Sequence, residues 1–537
     1  MRVVYYKNGK KHTTSGSNTD VKISEVREGN HTTIKLLAGE EITLAKATVS
    51  YPWHINFKDL YFLNGYQSWT DTKEYKLATQ LRDIRKSPHI ISHMFAMDRY
   101  GDSKFYNYSI RKSHGYDVFY SKGQYECFIY NLNYKTAYLI IELIKDRSSI
   151  QLISAVDGLK VNKGQEVTLF DYCYFDNFEK GLMSFWDAFP IRNVKKVLGY
   201  TSWYNYYQNI NEEIISRDLD ALDNRFDVFQ IDDGYETFVG DWLDVDPVKF
   251  PNGLKPIIDK IHSKGFKAGL WLAPFAAESK SKLFNEHPDW IRKDKNGKPI
   301  KAGGNWSGFY SLDLDNQEVV AYIKKCLTHY MEMGVDFFKL DFLYAAALPT
   351  YEGRTRCQVQ DAAYKMLRET LKNKVILGCG ANIINSYENF DYLRIGPDVS
   401  LEFDDIFYMR MFHRERISTK VTLQNTIYRS FMNNHLFGND PDVFLLRDDN
   451  IKLSKEQRRA LSILNALFGS LLFTSDNIAT YDEEKKQQFD EVLKVFYNAH
   501  NRRYITKDNL IQINYELYGE KKQLTYDIKK GVFIDER

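Results

Sequence analysis

Short apolar runs that end in charged side chains are the chemically suggestive feature of this sequence. In Asp336-Phe-Phe-Lys-Leu-Asp-Phe342 a lysine and a carboxylate stand two residues apart among Phe337, Phe338, Leu340 and Phe342. The run reads as a buried strand, and a side-chain period of two puts Lys339 and Asp341 on one face, where they can meet each other and a shared ligand. A single pair of this kind is compatible with a structural ion pair. The device recurs, however. Val228-Phe-Gln-Ile-Asp-Asp233 closes on Asp232 and Asp233, and Tyr392-Leu-Arg-Ile-Gly-Pro-Asp398 carries Arg394 and closes on Asp398. Other runs end in Trp203 and Tyr204, in Trp271 and in Cys379, with Asp440 and Asp476 behind.

Three chemistries can use such a set. Glycoside hydrolysis needs two carboxyl groups flanking an anomeric carbon, one ionised and one protonated, with aromatic platforms and acids that accept hydrogen bonds from sugar hydroxyls. A Mg²⁺ or Zn²⁺ enzyme would also gather acids, but its cation would share the ring with Lys339 and Arg394, and neither an HxH nor an HExxH pair occurs. No metal and no organic cofactor is expected. A sugar-binding barrel without turnover needs the aromatics but not two opposed carboxylates.

The runs must be brought together by a frame. After Val194, strand-like and helix-like segments alternate, with eight candidate strands from Val197-Leu-Gly-Tyr-Thr-Ser-Trp203 to Leu471-Leu-Phe-Thr-Ser-Asp476. The helical signals between them run over 211–225, 254–264, 317–333, 362–371 and 455–467. That grammar predicts parallel βα units closing into a (β/α)8 TIM barrel over 191–478, whose active site lies at the carboxyl ends of the strands. Residues 1–190 alternate apolar and polar side chains in short segments and are expected to form an N-terminal β-sandwich. The segment 479–537 is expected to be a small C-terminal β-domain. Asn64-Gly-Tyr-Gln-Ser-Trp69 is a polar-aromatic loop that either packs on the sandwich or lines the neighbouring pocket.

Composition narrows the partners. A formal net charge of +2 leaves no excess of cations for a phosphate backbone, so nucleic acid is not expected, while aromatic content of 15% suits sugar stacking. The first ten residues hold no signal-peptide core and no run of membrane-spanning length occurs, so a cytoplasmic protein without membrane contact is expected. The five cysteines are scattered and free of CxxC spacing. No feature of the sequence sets an oligomeric state.

The ordered motifs Gly199-Tyr-Thr-Ser-Trp-Tyr204, Phe229-Gln-Ile-Asp-Asp233, Gly269-Leu-Trp-Leu-Ala-Pro-Phe275, Phe338-Lys-Leu-Asp-Phe-Leu343, Arg394-Ile-Gly-Pro-Asp398 and Asn439-Asp-Pro-Asp442 resemble glycoside hydrolase family 36, the α-galactosidases or melibiases, of the short bacterial type. The Gly65-Tyr-Gln-Ser-Trp69 loop carries the resemblance into the sandwich. It implies a retaining exo-glycosidase that removes terminal α-galactose from small oligosaccharides, with Asp341 as nucleophile and Asp398 as general acid/base. It further implies that Asp232 and Asp233 accept from the O4 and O6 hydroxyls and that Lys339 binds a ring hydroxyl. Cys379 and Arg394 would stand near O2 and O3, with Trp203, Tyr204 and Trp271 walling the ring and Tyr66 and Trp69 closing the pocket. The physical demands agree: the nucleophile must be anionic, and Asp398, after the Gly396-Pro397 turn, must have its pKa raised to donate a proton. The chain departs from the family at Tyr200, where tryptophan is expected, and in Cys379-Gly-Ala-Asn-Ile383, which touches the substrate's rim. α-N-Acetylgalactosaminidase and transglycosylase activities are alternatives within this chemistry, and a non-catalytic galactoside-binding protein is the alternative outside it.

Overall fold

The computed structural model describes residues 1–88, 92, 94–106, 109–348 and 351–536. Its centre is a ring of parallel strands: β1 (Val197–Thr201), β2 (Val228–Ile231), β3 (Lys267–Leu272), β4 (Phe337–Leu340), β5 (Val375–Gly378), β6 (Tyr392–Arg394), β7 and β8 (Leu471–Thr474). The runs are apolar on both faces because each strand packs inward on the barrel core and outward on helices. The seventh strand comes in two pieces. Gly438–Asp440 pairs with β6 and Val443–Phe444 with β8, so β7 closes the ring. Between the pieces Pro441 lacks an N–H for the ladder and Asp442 takes φ 73°, which breaks the strand at the ring's carboxyl end.

Helices follow most strands. They are α1 (Glu212–Ala221), α2 (Lys255–Ser263), α3 (Gln317–Met333), α4 (Arg356–Leu371), α5 (Thr419–Tyr428), α6 (Lys455–Phe468) and α7 (Glu483–Asn498). Their ends are written in the sequence: Asn211 caps α1 by accepting from the Ile214 amide, capping boxes start α4 at Thr355 and α6 at Ser454, and Gly334 at φ 115° stops α3. The connection from β5 to β6, fully described, departs from the expected βα rhythm. It holds a single 3-10 turn, Ile384–Ser386, because the interval 379–391 is too short to run a helix back along the barrel.

Before the barrel lie two seven-stranded antiparallel sheets, whose shared core includes Ile34, Leu36, Leu44, Phe119, Leu152 and Phe170. The segment beginning at 479 opens not with a strand but with α7, which packs on α6, and the four-stranded antiparallel sheet spans His500–Lys507 to Val532–Glu536. Among the described residues no helix is long and apolar enough to cross a membrane.

Candidate active site

A cavity of about 1010 Å³ opens at the carboxyl ends of the barrel strands. Of the residues singled out from sequence, Asp232, Asp233, Lys339, Asp341 and Asp398 all line it, and so do Trp69, Trp203, Tyr204 and Trp271.

Asp341 sits one residue beyond the last ladder position of β4. Its carboxylate accepts from the Trp271 indole N–H (3.0 Å) and from the Phe342 amide (2.7 Å). Both donors are neutral and fixed. Phe342 reaches its position at φ 52°, and Tyr207 (φ 50°), Trp306 (φ 54°) and Asn450 (φ 48°) of the cavity lining also take positive φ. Such backbone is strained for residues other than glycine, and its recurrence around one cavity marks a site whose geometry the surrounding packing imposes.

Lys339 pairs directly with Asp232, and the charge of Asp341 acts on it without an ion pair. Its ammonium lies 2.9 Å from Asp232 Oδ2, across the ring on β2, because Asp341 has left the strand and turned to the indole of β3. Burial opposes the ammonium's charge, but the Asp232 carboxylate outweighs it, and the lysine pKa is raised. Asp232 also accepts from Gln230 Nε2 (2.6 Å), Thr201 Oγ (3.1 Å) and the Asp233 amide (2.9 Å).

Asp233 is gripped by Gln208 Nε2, 3.1 Å from each of its oxygens, and by the Trp306 indole (2.8 Å). Glu236 lies buried behind it. Burial first, and the Asp233 charge second, push the Glu236 carboxyl well above its ordinary range.

Asp398 is held by Arg394 Nη1 at 2.9 Å, and its carboxyl is 31% exposed to the cavity. Burial raises its pKa; Arg394 and Lys339 oppose the rise, and the charges of Asp341 and Asp232 add to it. This is the direction a proton donor requires.

Three of the residues expected at the substrate do not line the cavity. Arg394 is buried and its guanidinium is spent on Asp398, Asp440 (2.8 Å) and Asp442 (2.8 Å), so it lies beneath the wall and not in it. Cys379 is also buried off the cavity, accepting from the Trp69 indole at 3.3 Å. Tyr66 turns away into a cluster with Tyr116 and Tyr138, where Arg356 sits over its ring. The N-terminal loop thus delivers Trp69 to the cavity and buries Tyr66. Trp242 is sealed behind Trp271, and Trp306 joins the wall.

Sequence reasoning missed Gln208, Tyr207, Glu236 and a mouth formed by Met97, Tyr100, Asn305 and the acids Glu402, Asp404 and Asp405. Glu236 alone had a signal, as a third acid three residues after Asp233. The others lie in loops whose paths no periodicity encodes.

Residues 192–370 match the Melibiase family model. An α-galactosidase of Escherichia coli is 30% identical over 195 residues, 35% of this chain and 27% of that protein. Alpha-galactosidase 2 of Pediococcus pentosaceus is 36% identical over 104 residues, covering 19% and 14% respectively. The chain thus aligns with less than a third of the length of either relative. Among solved structures, the α-galactosidase of Thermus thermophilus in complex with p-nitrophenyl α-D-galactopyranoside superposes with a TM-score of 0.72 at 26% identity, covering 93% of this chain and 98% of that one. The likeness in architecture spans 93% of this chain, while the Melibiase match is confined to 192–370, so the chain is similar to α-galactosidases of the melibiase type.

Proposed function

We propose that the protein is a retaining exo-α-galactosidase acting on small galacto-oligosaccharides. The reading rests on one observation above the rest: Asp341 and Asp398 open on the same cavity while held in opposite ways, one by neutral N–H donors and the other in surroundings that favour its proton. In the first displacement an Asp341 oxygen bonds to the anomeric carbon as the glycosidic C–O bond breaks, and the Asp398 proton passes to the leaving oxygen. In the second, Asp398 takes a proton from water, the water oxygen bonds to the same carbon, and Asp341 leaves as carboxylate. Asp232, Asp233 and Lys339 would hold the sugar's O4 and O6 side, with Trp203, Tyr204, Trp271 and Trp306 as its walls. The Thermus thermophilus enzyme, whose structures hold a nitrophenyl galactoside and stachyose, supports galactosides as the substrate class.

A panel of nitrophenyl α-glycosides tests this reading. Turnover of the galactoside with first-formed α-galactose, seen by proton NMR, is expected. Turnover of the N-acetylgalactosaminide alone would reassign the sugar, first-formed β-galactose would refute retention, and no turnover would leave a galactoside-binding protein. Trapping with an activated fluoro-galactoside should label Asp341, and a label elsewhere would overturn the assignment.

A further inference from the structure

The Arg394 cluster contains more acid than a salt bridge needs. One guanidinium meets three carboxylates: Asp398 at Nη1 (2.9 Å), Asp440 at Nε (2.8 Å) and Asp442 at Nη2 (2.8 Å). Only Asp398 faces the cavity; Asp440 and Asp442 are sealed from it. Asp442 is built into position at some cost. It occupies the break in β7 at φ 73°, its amide donates to Asp440 (2.9 Å), and its Oδ2 accepts from the Tyr204 hydroxyl and from the Val399 amide (2.7 Å). Val399 is the residue after Asp398, so Asp442 grips both the cation that binds Asp398 and the backbone that aims it.

From this geometry, and resting on the role given to Asp398 above, we propose that Asp442 is a positioning residue for the proton donor. It shares the Arg394 charge with Asp398 and fixes the Val399 turn, so that Asp398 keeps a transferable proton. The charge count gives the reason. An arginine serving Asp398 alone would hold it as a carboxylate, unable to protonate a leaving group. Two sealed carboxylates on the same arginine more than cancel its charge, and the cluster then favours a proton on one of its acids. Burial raises the Asp442 pKa to about 7 against the pull of Arg394, and the charge of Asp398 adds to the rise. Other charged or titratable groups also face Asp398: Lys339 and Asp341 from β4, Asp232 from β2, Tyr204 and Tyr207 after β1, and Cys379 after β5. None of them changes in the substitution below.

Asp442→Asn removes one sealed charge, so Asp398 should lose its proton at lower pH. In kcat/KM profiles the alkaline limb is expected to move down by roughly one unit or more. The rate with phenyl α-galactoside, which needs a proton, should fall more than the rate with the p-nitrophenyl glycoside. Asp440→Asn removes the other sealed charge without touching the Val399 amide, and its limb should move the same way even if the Asp442 variant is poorly folded. A limb that stays in place in both variants, or an equal loss with both substrates, overturns the proposal. A carbon-13 carboxyl titration, with the Asp398 signal identified by its loss in Asp398→Asn, reads the same displacement without turnover. It therefore separates failure of this inference, a signal that does not move, from failure of the galactosidase reading, absence of turnover beside a signal that does.

Discussion

The two walls of the cavity hold their carboxyl groups by different means. On the Asp341 wall, an indole and a backbone amide are aimed at the oxygens by strand β3 and a strained Phe342. On the Asp398 wall a cation is present but shared with two sealed acids. Neutral, rigid donors stabilise an anion without a mobile countercharge, which suits a group that must attack a carbon. A cation shared with two sealed acids opposes less of the rise that burial imposes on the Asp398 pKa, which suits the proton donor proposed above. A protein can thus separate the behaviour of two identical side chains through burial together with the charge of their donors.

This contrast can be broken experimentally. The largest effect is expected from Asp341→Asn, which should lower kcat/KM by roughly 10⁴-fold or more for every galactoside, measured by initial rates on protein with unchanged circular dichroism. Retention of a tenth of the activity would dissolve the distinction between the walls. Asp398→Asn should cost roughly 10² to 10⁴-fold with alkyl leaving groups and distinctly less with nitrophenol, since the better leaving group asks less of the acid.

The Asp398 wall should also be the acid-sensitive one. His413, buried on the same cavity, has its pKa lowered to about 4 by burial, with its Nε2 directed at the Met97 carbonyl. The unfolded imidazole binds a proton near the ordinary 6.5 while the folded one resists, so stability is complete above about 6.5 and is lost as pH falls toward 4. The loss attributable to His413 should approach about 3 kcal/mol. Denaturant melts at pH 7 and pH 4.5 should show it, and His413→Gln should flatten the slope.

On the other wall, Trp271→Phe deletes one bond to a carboxylate and should cost about 1.5 to 3 kcal/mol in transition-state stabilisation, with the alkaline limb unmoved. Smallest of all, Cys379→Ala loses only a weak sulfur contact to Trp69 and should change kcat/KM by less than about fivefold. A larger loss would return the thiol to the substrate's side.

Most of the barrel was legible because its signals are local. The span 317–333 was set by Asn316 and Gly334, and the acids after β2, β4 and β6 followed from runs that end in charge. What escaped notice depends on distance. Lys339 pairing with Asp232 instead of Asp341 is decided by the ring's curvature, and Arg394 sinking below the wall is decided by Asp440 and Asp442 on a neighbouring strand. The mouth from Glu402 to Asp405 has no period to read. Helix α7 was overlooked because the β-pattern further along the tail coloured the reading of the whole segment.

The loop that delivers Trp69 has a consequence for how the molecule is made. Its Ser68 amide bonds the Ala381 carbonyl, Tyr66 receives Asn382, and Arg429 clasps Gln67 and Ser68 from α5. Trp69 and its sulfur partner are separated by 310 positions. Emerging from the ribosome, the N-terminal sheets must hold this piece of rim until more than half the polypeptide has followed and its barrel partners are made. The Trp69 rim of the chamber therefore takes its final form only after residues 310 positions downstream have been made.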